Sequence, residues 1–243
     1  MNRLMINGVK VYPFTSFESL IAYVLEHPGI LVAINAGKIS KATDTTRALI
    51  NRNIGYCDGV GAVKALKRLG VKNARKLAGC ELWLKIIEST LHSNSSYYFV
   101  GGKQEIIDEV IQKLQVDFPG INICGYRNGY ISSEEEREQL IADIAVKRPK
   151  VVFVAMGSPK QELLMEEMQK VNPDAIFQGL GGSFDVYVGK FKRAPQWWID
   201  HNLEGVYRNI HDPNWKRFKR LWDDFVFIMK LYLGKYDGKT INN

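Results

Sequence analysis

The residues best suited to chemistry stand where an apolar, strand-like stretch gives way to a turn. Asp58 follows one such stretch and precedes Gly59. A carboxylate at the end of a strand can act as a general base on a sugar hydroxyl. An isolated Asp-Gly pair more commonly caps a helix or forms a turn. Asn35 closes another apolar stretch, and it either caps the next turn or reaches a ligand.

A second candidate is the Gly-Ser-Pro-Lys-Gln motif that follows a predicted strand. The strand runs into Gly157, and the pattern then predicts a helix with Ser158 as N-cap and Pro159 at the first helical position. Gln161 would complete an S-x-x-Q capping box, or it could turn toward a substrate. Free backbone N–H groups and the helix dipole favour an anion such as a diphosphate here, and Lys160 adds positive charge. The alternative is an ordinary, well-capped turn.

Other glycine and polar residues follow predicted strands and are candidates for substrate binding. The glycines permit close approach of a ligand to the backbone, and the aspartate is available for a hydroxyl or a structural hydrogen bond. These candidates are Gly101, Gly102, Tyr130, Gly181, Gly182 and Asp185.

Several motifs are missing from the sequence. It contains no G-x-G-x-x-G after a strand, no P-loop, no G-x-S-x-G and no D-x-D. The 4 histidines are scattered, and the 3 cysteines have no C-x-x-C spacing. We therefore expect no metal site, no cofactor and no disulfide framework, which is typical of a protein in a reducing cytoplasm.

Alternating strand and helix patterns would position these residues. Such alternation predicts a Rossmann-like α/β fold with a largely parallel sheet and helices on both faces. The predicted strands cover residues 29–36, 54–58, 97–100, 121–126, 151–155 and 175–180. The predicted helices cover residues 43–52, 61–69, 104–115, 134–146 and 161–170. Because strand ends carry both candidates, we expect Asp58 and the turn at 157–161 to share one cleft.

The strand patterns stop near Pro195, so we predict an α/β domain over residues 1–194 and a helical appendage over 195–243. Two helices are expected there, at about residues 197–210 and 214–233, with Pro213 between them and Asn214 as a candidate N-cap. The second helix carries one stripe of large apolar residues, namely Trp215, Phe218, Trp222, Phe225, Met229 and Tyr232. Beside this stripe lie Lys216, Arg217, Lys219 and Arg220. This composition suits a membrane interface, and the alternative is a helix packed on the sheet with solvated charges.

Composition is consistent with this division. The chain has 243 residues, of which 46% are hydrophobic and 24% charged, and a formal net charge of +7. That charge indicates a polyanionic binding partner, and we expect the positive charge to be concentrated toward the C-terminus. No signal peptide and no apolar run of the roughly 20 residues that cross a bilayer is present. We expect a cytoplasmic protein that is peripheral on the inner face of the plasma membrane.

The sequence as a whole resembles the WecG/TagA/CpsF family of glycosyltransferases, and its motif sequences are most similar to those of the enterobacterial branch. The resemblance covers almost the whole chain. It rests on residues 31–36, 56–61, 100–102, 125–130, 155–162, 181–185 and 192–195.

The resemblance implies a UDP-sugar donor, an undecaprenyl-diphosphate-linked amino sugar as acceptor, and inversion at the anomeric carbon without a metal bound by D-x-D. It implies that Asp58 is the catalytic base and that Asn35 and Gln161 are active-site residues. The appendage would bind the membrane, with arginines that help bind the diphosphate, namely Arg208, Arg217 and Arg220. The branch suggests transfer of N-acetylmannosaminuronate for enterobacterial common antigen. Relatives instead transfer glucose or galactose in O-antigen, capsule or exopolysaccharide assembly.

Two positions depart from the family pattern and bear on donor specificity: Gly37 stands where relatives often carry a larger residue, and Cys57 where Ala is common. Other classes remain open, among them a nucleic-acid-binding protein, a dehydrogenase and an inactive scaffold of the same fold. We expect no nucleic acid partner, because no recognition motif is present. A homo-oligomer, in which a tail completes a neighbour's pocket, is a further expectation.

Overall fold

The computed structural model describes residues 1–190, 195, 197–198, 204–211 and 215–236. The strands are β1 Leu4–Ile6, β2 Val9–Val11, β3 Ile30–Ile34, β4 Ile54–Cys57, β5 Ser96–Gly101, β6 Asn122–Arg127, β7 Val151–Ala155 and β8 Ile176–Gly179. The helices are α1 Phe17–Glu26, α2 Ala36–Ser40, α3 Asp44–Asn51, α4 Val60–Arg68, α5 Gly79–Thr90, α6 Gln104–Asp117, α7 Glu134–Lys147, α8 Lys160–Val171, α9 Ser183–Tyr187, α10 Glu204–His211 and α11 Trp215–Tyr232. The proposed cap at Asn214 and positions 192–194 lie outside the described residues.

The predicted α/β fold is confirmed. The main sheet has six strands in the order β4-β3-β8-β7-β5-β6. Strand β5 pairs in parallel with β6 and β7, and β8 pairs in parallel with β7 and β3. Every strand and helix expected from the patterns between residues 29 and 180 is present, with ends within a few residues. The patterns missed the β1–β2 hairpin and helices α1, α2, α5 and α9.

Backbone contacts divide the chain into two compact units. Unit 1 comprises Met1–Thr15, Ala33–Ala78 and Phe191–Asn243, and unit 2 comprises Ser16–Val32 and Gly79–Lys190. The boundary predicted at residue 195 stays a prediction. Among the described residues, no helix is long and apolar enough to cross a membrane.

The core of unit 2 is an aromatic cluster beneath the strand ends. The Trp83 ring packs edge-on against Phe153 and Phe184, with ring centroids 5.7 and 5.8 Å apart. Phe99 stacks on Phe153 at 5.4 Å. All four side chains are fully buried. Large rings that interlock in this way make the ends of β5 and β7 rigid supports for the loops that follow them.

In unit 1, helix α11 packs against α2 and α4. Phe227 and Leu231 form its buried face. Lys41, the residue that follows α2, forms an ion pair with Asp223 of α11. The appendage is therefore seated on the two helices that begin just after Asn35 and Asp58.

Candidate functional site

Asp58 directly follows β4 in unit 1, and its backbone N–H donates to the Ile34 carbonyl at 2.9 Å. Helix α4 begins at Val60 with Gly59 as its N-cap, and no side chain caps it. The N-cap position itself is therefore held by a glycine, and Asp58 lies one residue before it. Asp58 is half-buried, in a position suited to a group that must meet a substrate.

Asn35 occupies the corresponding place after β3. Its Oδ1 accepts from the Lys38 N–H at 3.0 Å, so Asn35 caps the short helix α2. Asn35 is exposed, and its side-chain NH₂ group has no acceptor among the described residues. A Cβ atom at position 59 would lie 3.1 Å from the Asn35 Cβ, and one at position 37 would lie 3.3 Å from its Oδ1. Gly37 and Gly59 therefore leave the room that Asn35 needs.

The seat of α11 lies next to these residues. A Cβ atom at position 61 would approach the Ala36 Cβ to 2.8 Å and the Phe227 ring to 3.1 Å. Gly61 and Ala36 thus form a shallow notch for one aromatic ring. Since they stand in the first turns of α4 and α2, this notch ties the appendage to the segment that carries Asp58.

Three loops of unit 2 meet through glycines. Gly101 has φ of 139°, a region that favours glycine, and a Cβ atom there would collide with the Ala155 carbonyl. The Gly102 N–H donates to the Ala155 carbonyl at 3.3 Å, and the Gly129 N–H donates to the Gly102 carbonyl at 2.9 Å. The ends of β5, β6 and β7 are therefore joined backbone to backbone.

Gln161 joins a fourth loop to the cluster. Its Oε1 accepts from the Gly157 N–H at 3.1 Å and from the Gly181 N–H at 3.0 Å, and the residue is only 5% exposed. The predicted capping box is therefore wrong. Pro159, not Ser158, is the N-cap of α8, and no side chain caps this helix. The Gln161 carbonyl is already occupied by two backbone donors, one of them twenty residues away in sequence.

The other predicted residues of this loop cluster are accessible. Ser158, Pro159, Lys160, Gly182 and Tyr130 are exposed, and Asp185 is half-buried. Within the described chain, nothing accepts from the N–H groups of Ser158 and Lys160, which leaves two backbone donors at the start of α8. A role for any of these residues in binding stays a prediction, as does one cleft shared with Asp58.

Sequence reasoning missed the brace that holds the Tyr130 loop. Asn128 donates through Nδ2 to the Gln104 Oε1 at 2.9 Å and accepts from the Tyr130 N–H at 2.9 Å. Asn-Gly is a turn signal, so the loop itself was predictable. The partner on α6 was not, because it is twenty-four residues away in sequence.

A comparison with protein-family models decides the family. The model described as "Glycosyl transferase WecG/TagA/CpsF family" matches residues 5–240. The chain belongs to this family. A WecG/TagA/CpsF chain is a glycosyltransferase of cell-surface polysaccharide synthesis, so the transferase expectation is confirmed at that level.

The appendage of this WecG/TagA/CpsF protein is described in part. The backbones of Arg208, Lys216, Arg217 and Arg220 fall within α10 and α11, but their side chains lie outside the described residues. Lys219 is exposed. The large apolar stripe of α11 is exposed along its whole length, with Trp215 at 76% and Trp222 at 59%. In the described structure, α11 therefore turns Phe227 inward and its aromatic stripe outward.

A shallow, open depression of about 330 Å³ lies in unit 2 of this glycosyltransferase. Its lining residues are Tyr98, Arg127, Asn128, Gln139, Leu140 and Asp143. Tyr98 donates to the Asp143 carboxylate at 2.6 Å, and Arg127 donates to the Glu136 carbonyl at 2.9 Å. None of the residues predicted for substrate binding lines this depression.

Proposed function

We propose that this protein transfers a hexose or N-acetylhexosamine-type sugar, with N-acetylmannosaminuronate as one candidate, from a UDP-sugar to an undecaprenyl-diphosphate-linked amino sugar. The reaction inverts the anomeric carbon and needs no metal ion. It takes place at the inner face of the plasma membrane during the synthesis of a surface polysaccharide. Family membership supports the reaction class, and the sequence resemblance supports the donor and the acceptor.

The observation that carries the proposal is the pair of polar residues at adjacent strand ends in unit 1. The Asp58 N–H is fixed to the Ile34 carbonyl, one residue before Asn35, and Gly59 lies against Asn35. The backbone segments that carry a carboxylate and an amide are thereby held next to each other, and among the described residues the amide NH₂ group of Asn35 has no acceptor. A base needs this kind of fixed neighbour to orient a hydroxyl.

The proposed step is a single displacement. Asp58 takes the proton of the acceptor hydroxyl while the hydroxyl oxygen forms a bond to the anomeric carbon. The bond from that carbon to the donor phosphate oxygen breaks, and the nucleoside diphosphate leaves with the electron pair. On the sequence motif alone, backbone N–H groups of the 157–161 turn, Lys160 and the appendage arginines are the candidates for stabilising charge on the leaving phosphate.

Membrane association is proposed from α11. An exposed row of aromatic residues on a basic helix is the composition that lies in a headgroup interface. Flotation with anionic vesicles tests this, and a DNA shift assay tests the competing nucleic acid partner. Flotation without a DNA shift is the expected result, and a DNA shift without flotation contradicts it.

Activity is tested with a panel of UDP-sugars and a short lipid diphosphate bearing N-acetylglucosamine. Mass of the product identifies the sugar, and glucose or galactose transfer would favour the O-antigen, capsule or exopolysaccharide alternative. Asp58→Asn should lower turnover by about 10²–10⁴-fold, because general-base assistance typically contributes that much. Asp174→Asn is the matched control, since the Asp174 side chain is 82% exposed and lies in the loop before β8. Unchanged turnover in Asp58→Asn would exclude Asp58 as the base, and loss of activity with EDTA would exclude a metal-independent reaction.

A further inference from the structure

The positive charge of this chain is concentrated in a segment to whose cations the family resemblance assigns no role. Residues 59–80 contain six cations and not one Asp or Glu. They are Lys64, Lys67, Arg68, Lys72, Arg75 and Lys76. The appendage from residue 195 onward holds eight Lys and Arg residues but also six acids. The net charge is therefore larger in the 59–80 segment than in the appendage, and the sequence expectation that it concentrates toward the C-terminus is wrong.

The fold presents these cations on a fixed surface. Helix α4 ends at Arg68, and the loop that follows is held by the Val71 N–H to the Leu66 carbonyl at 3.0 Å and by the Leu77 N–H to the Cys57 carbonyl at 2.8 Å. Ala74 and Leu77 are buried and anchor the loop from below. Lys72 and Arg75 are exposed between these anchors.

Local structure explains only part of this charge. Lys67 and Arg68 in the last turn of α4 complement the negative end of its helix dipole. Lys72 and Arg75 lie beyond the helix and gain nothing from it. Within the described part of the chain, no carboxylate forms an ion pair with Lys67, Lys72 or Arg75, and all three are exposed. A cluster of like charges without counter-ions opposes folding unless a partner supplies them.

We propose that Lys67, Lys72 and Arg75 form an electrostatic docking surface for anionic lipid headgroups, separate from the aromatic stripe of α11. The choice of a lipid surface rests on the proposed function, in which the acceptor is lipid-linked. It is supported by unit 1 itself, which carries both this basic surface and the exposed stripe of α11. Aromatic burial in the interface and attraction to headgroups are complementary contributions to membrane binding.

The test uses the full chain and a triple variant, Lys67→Gln, Lys72→Gln and Arg75→Gln. Each cation near an anionic membrane contributes a factor of about five, so binding to vesicles of phosphatidylcholine with phosphatidylglycerol should fall on the order of 100-fold. Binding to vesicles of phosphatidylcholine alone should not change. High salt should lower the binding of the wild-type protein to anionic vesicles toward the level of the triple variant.

A matched control separates this surface from net charge alone. Arg148→Gln, Lys170→Gln and Lys190→Gln together remove the same charge from exposed positions in unit 2. Equal loss of vesicle binding in both triple variants would overturn the proposal. So would a basic-surface variant that still binds anionic vesicles but no longer shifts DNA.

Sugar transfer to a short, detergent-soluble acceptor distinguishes this proposal from the proposed function. The basic-surface triple variant should retain that transfer at the wild-type rate, and circular dichroism verifies its fold. If the wild-type protein transfers no sugar, the proposed function fails while the vesicle comparison still stands. If the triple variant is misfolded, Arg75→Gln alone should weaken anionic binding about fivefold, with Arg75→Lys restoring it. Wild-type binding by Arg75→Gln overturns the proposal.

Discussion

Phe225 and Phe227 offer a matched pair of substitutions on α11. They stand two residues apart, which is about 200° around a helix, and the structure places them on different faces. Phe227 is 1% exposed and touches the notch at Gly61, whereas Phe225 is 53% exposed on the aromatic stripe. Because the same atoms are removed, Phe225→Ala and Phe227→Ala differ only in what each ring contacts.

The two expected effects differ in kind and in size. Removal of a buried phenyl ring typically costs about 3–5 kcal/mol. Phe227 and Leu231 are the two fully buried large side chains of α11 among those described. The cost should therefore appear as opening of this helix, roughly 150- to 4,000-fold more often than in the wild type. Phe225 has about half its surface free for lipid, so its loss should weaken vesicle binding by about 1–1.5 kcal/mol, or roughly 5–10-fold.

Hydrogen exchange of the amides in α11, measured without vesicles, reports the opening. Flotation with anionic vesicles reports lipid binding. Phe227→Ala should accelerate exchange in α11 and leave the amides of β7 protected, whereas Phe225→Ala should exchange like the wild type and float less. If Phe227→Ala exchanges like the wild type, α11 is not seated on α2 and α4. If Phe225→Ala accelerates exchange more than Phe227→Ala, the two faces of the helix are assigned the wrong way round.

Three further predictions concern packing and protonation. Gly61→Val should unseat α11 as Phe227→Ala does, since its side chain would fill the notch, and Lys64→Val in the same helix serves as the control in the exchange experiment. Gln161→Met keeps the size of the side chain but leaves two backbone donors without an acceptor, so the free energy of unfolding should fall by about 1–3 kcal/mol. An unchanged urea midpoint would show that the two hydrogen bonds to Gln161 do not stabilise the fold. Burial raises the pKa of the Cys57 thiol from its ordinary 9.0 to about 12. The folded state therefore holds this proton more tightly, and its contribution to stability is complete below pH 9 and is lost as the pH rises to 12. Cys57→Ala should remove that alkaline loss, and at pH 9 iodoacetamide should modify the native Cys57 more slowly than the unfolded one.

The buried strands were the most predictable part of the fold. Residues 151–155 and 176–179 are covered on both sides, so selection for burial leaves continuous apolar runs that are easily read. The β1–β2 hairpin also has a clear signal in the sequence. Asn7 and Gly8 have φ of 52° and 78°, as expected for an Asn-Gly turn between two alternating strands.

That Asn35 and Asp58 directly follow strands was predictable from the sequence, whereas their roles stay predictions. Catalytic residues of parallel sheets gather at strand ends, and this rule was enough to single out Asn35 and Asp58. Gln161 shows where the rule stops. A capping box is a local interaction and can be read from spacing, but its side chain instead binds Gly181, a partner that only the folded sheet brings near. Local patterns cannot reveal a competitor that lies on another strand.

The two faces of α11 illustrate the same limit on a larger scale. A sequence with large apolar residues at 215, 218, 222 and 225 predicts one apolar stripe, and such a stripe is normally the buried one. Here the buried face is instead the one with Phe227 and Leu231, and the stripe is exposed. At the receiving surface, a Cβ atom at position 61 would come within 3.1 Å of the Phe227 ring, so Gly61 leaves the room that this ring occupies. An amphipathic pattern shows how many apolar faces a helix has. Which of these faces is buried depends on the residues that pack against it.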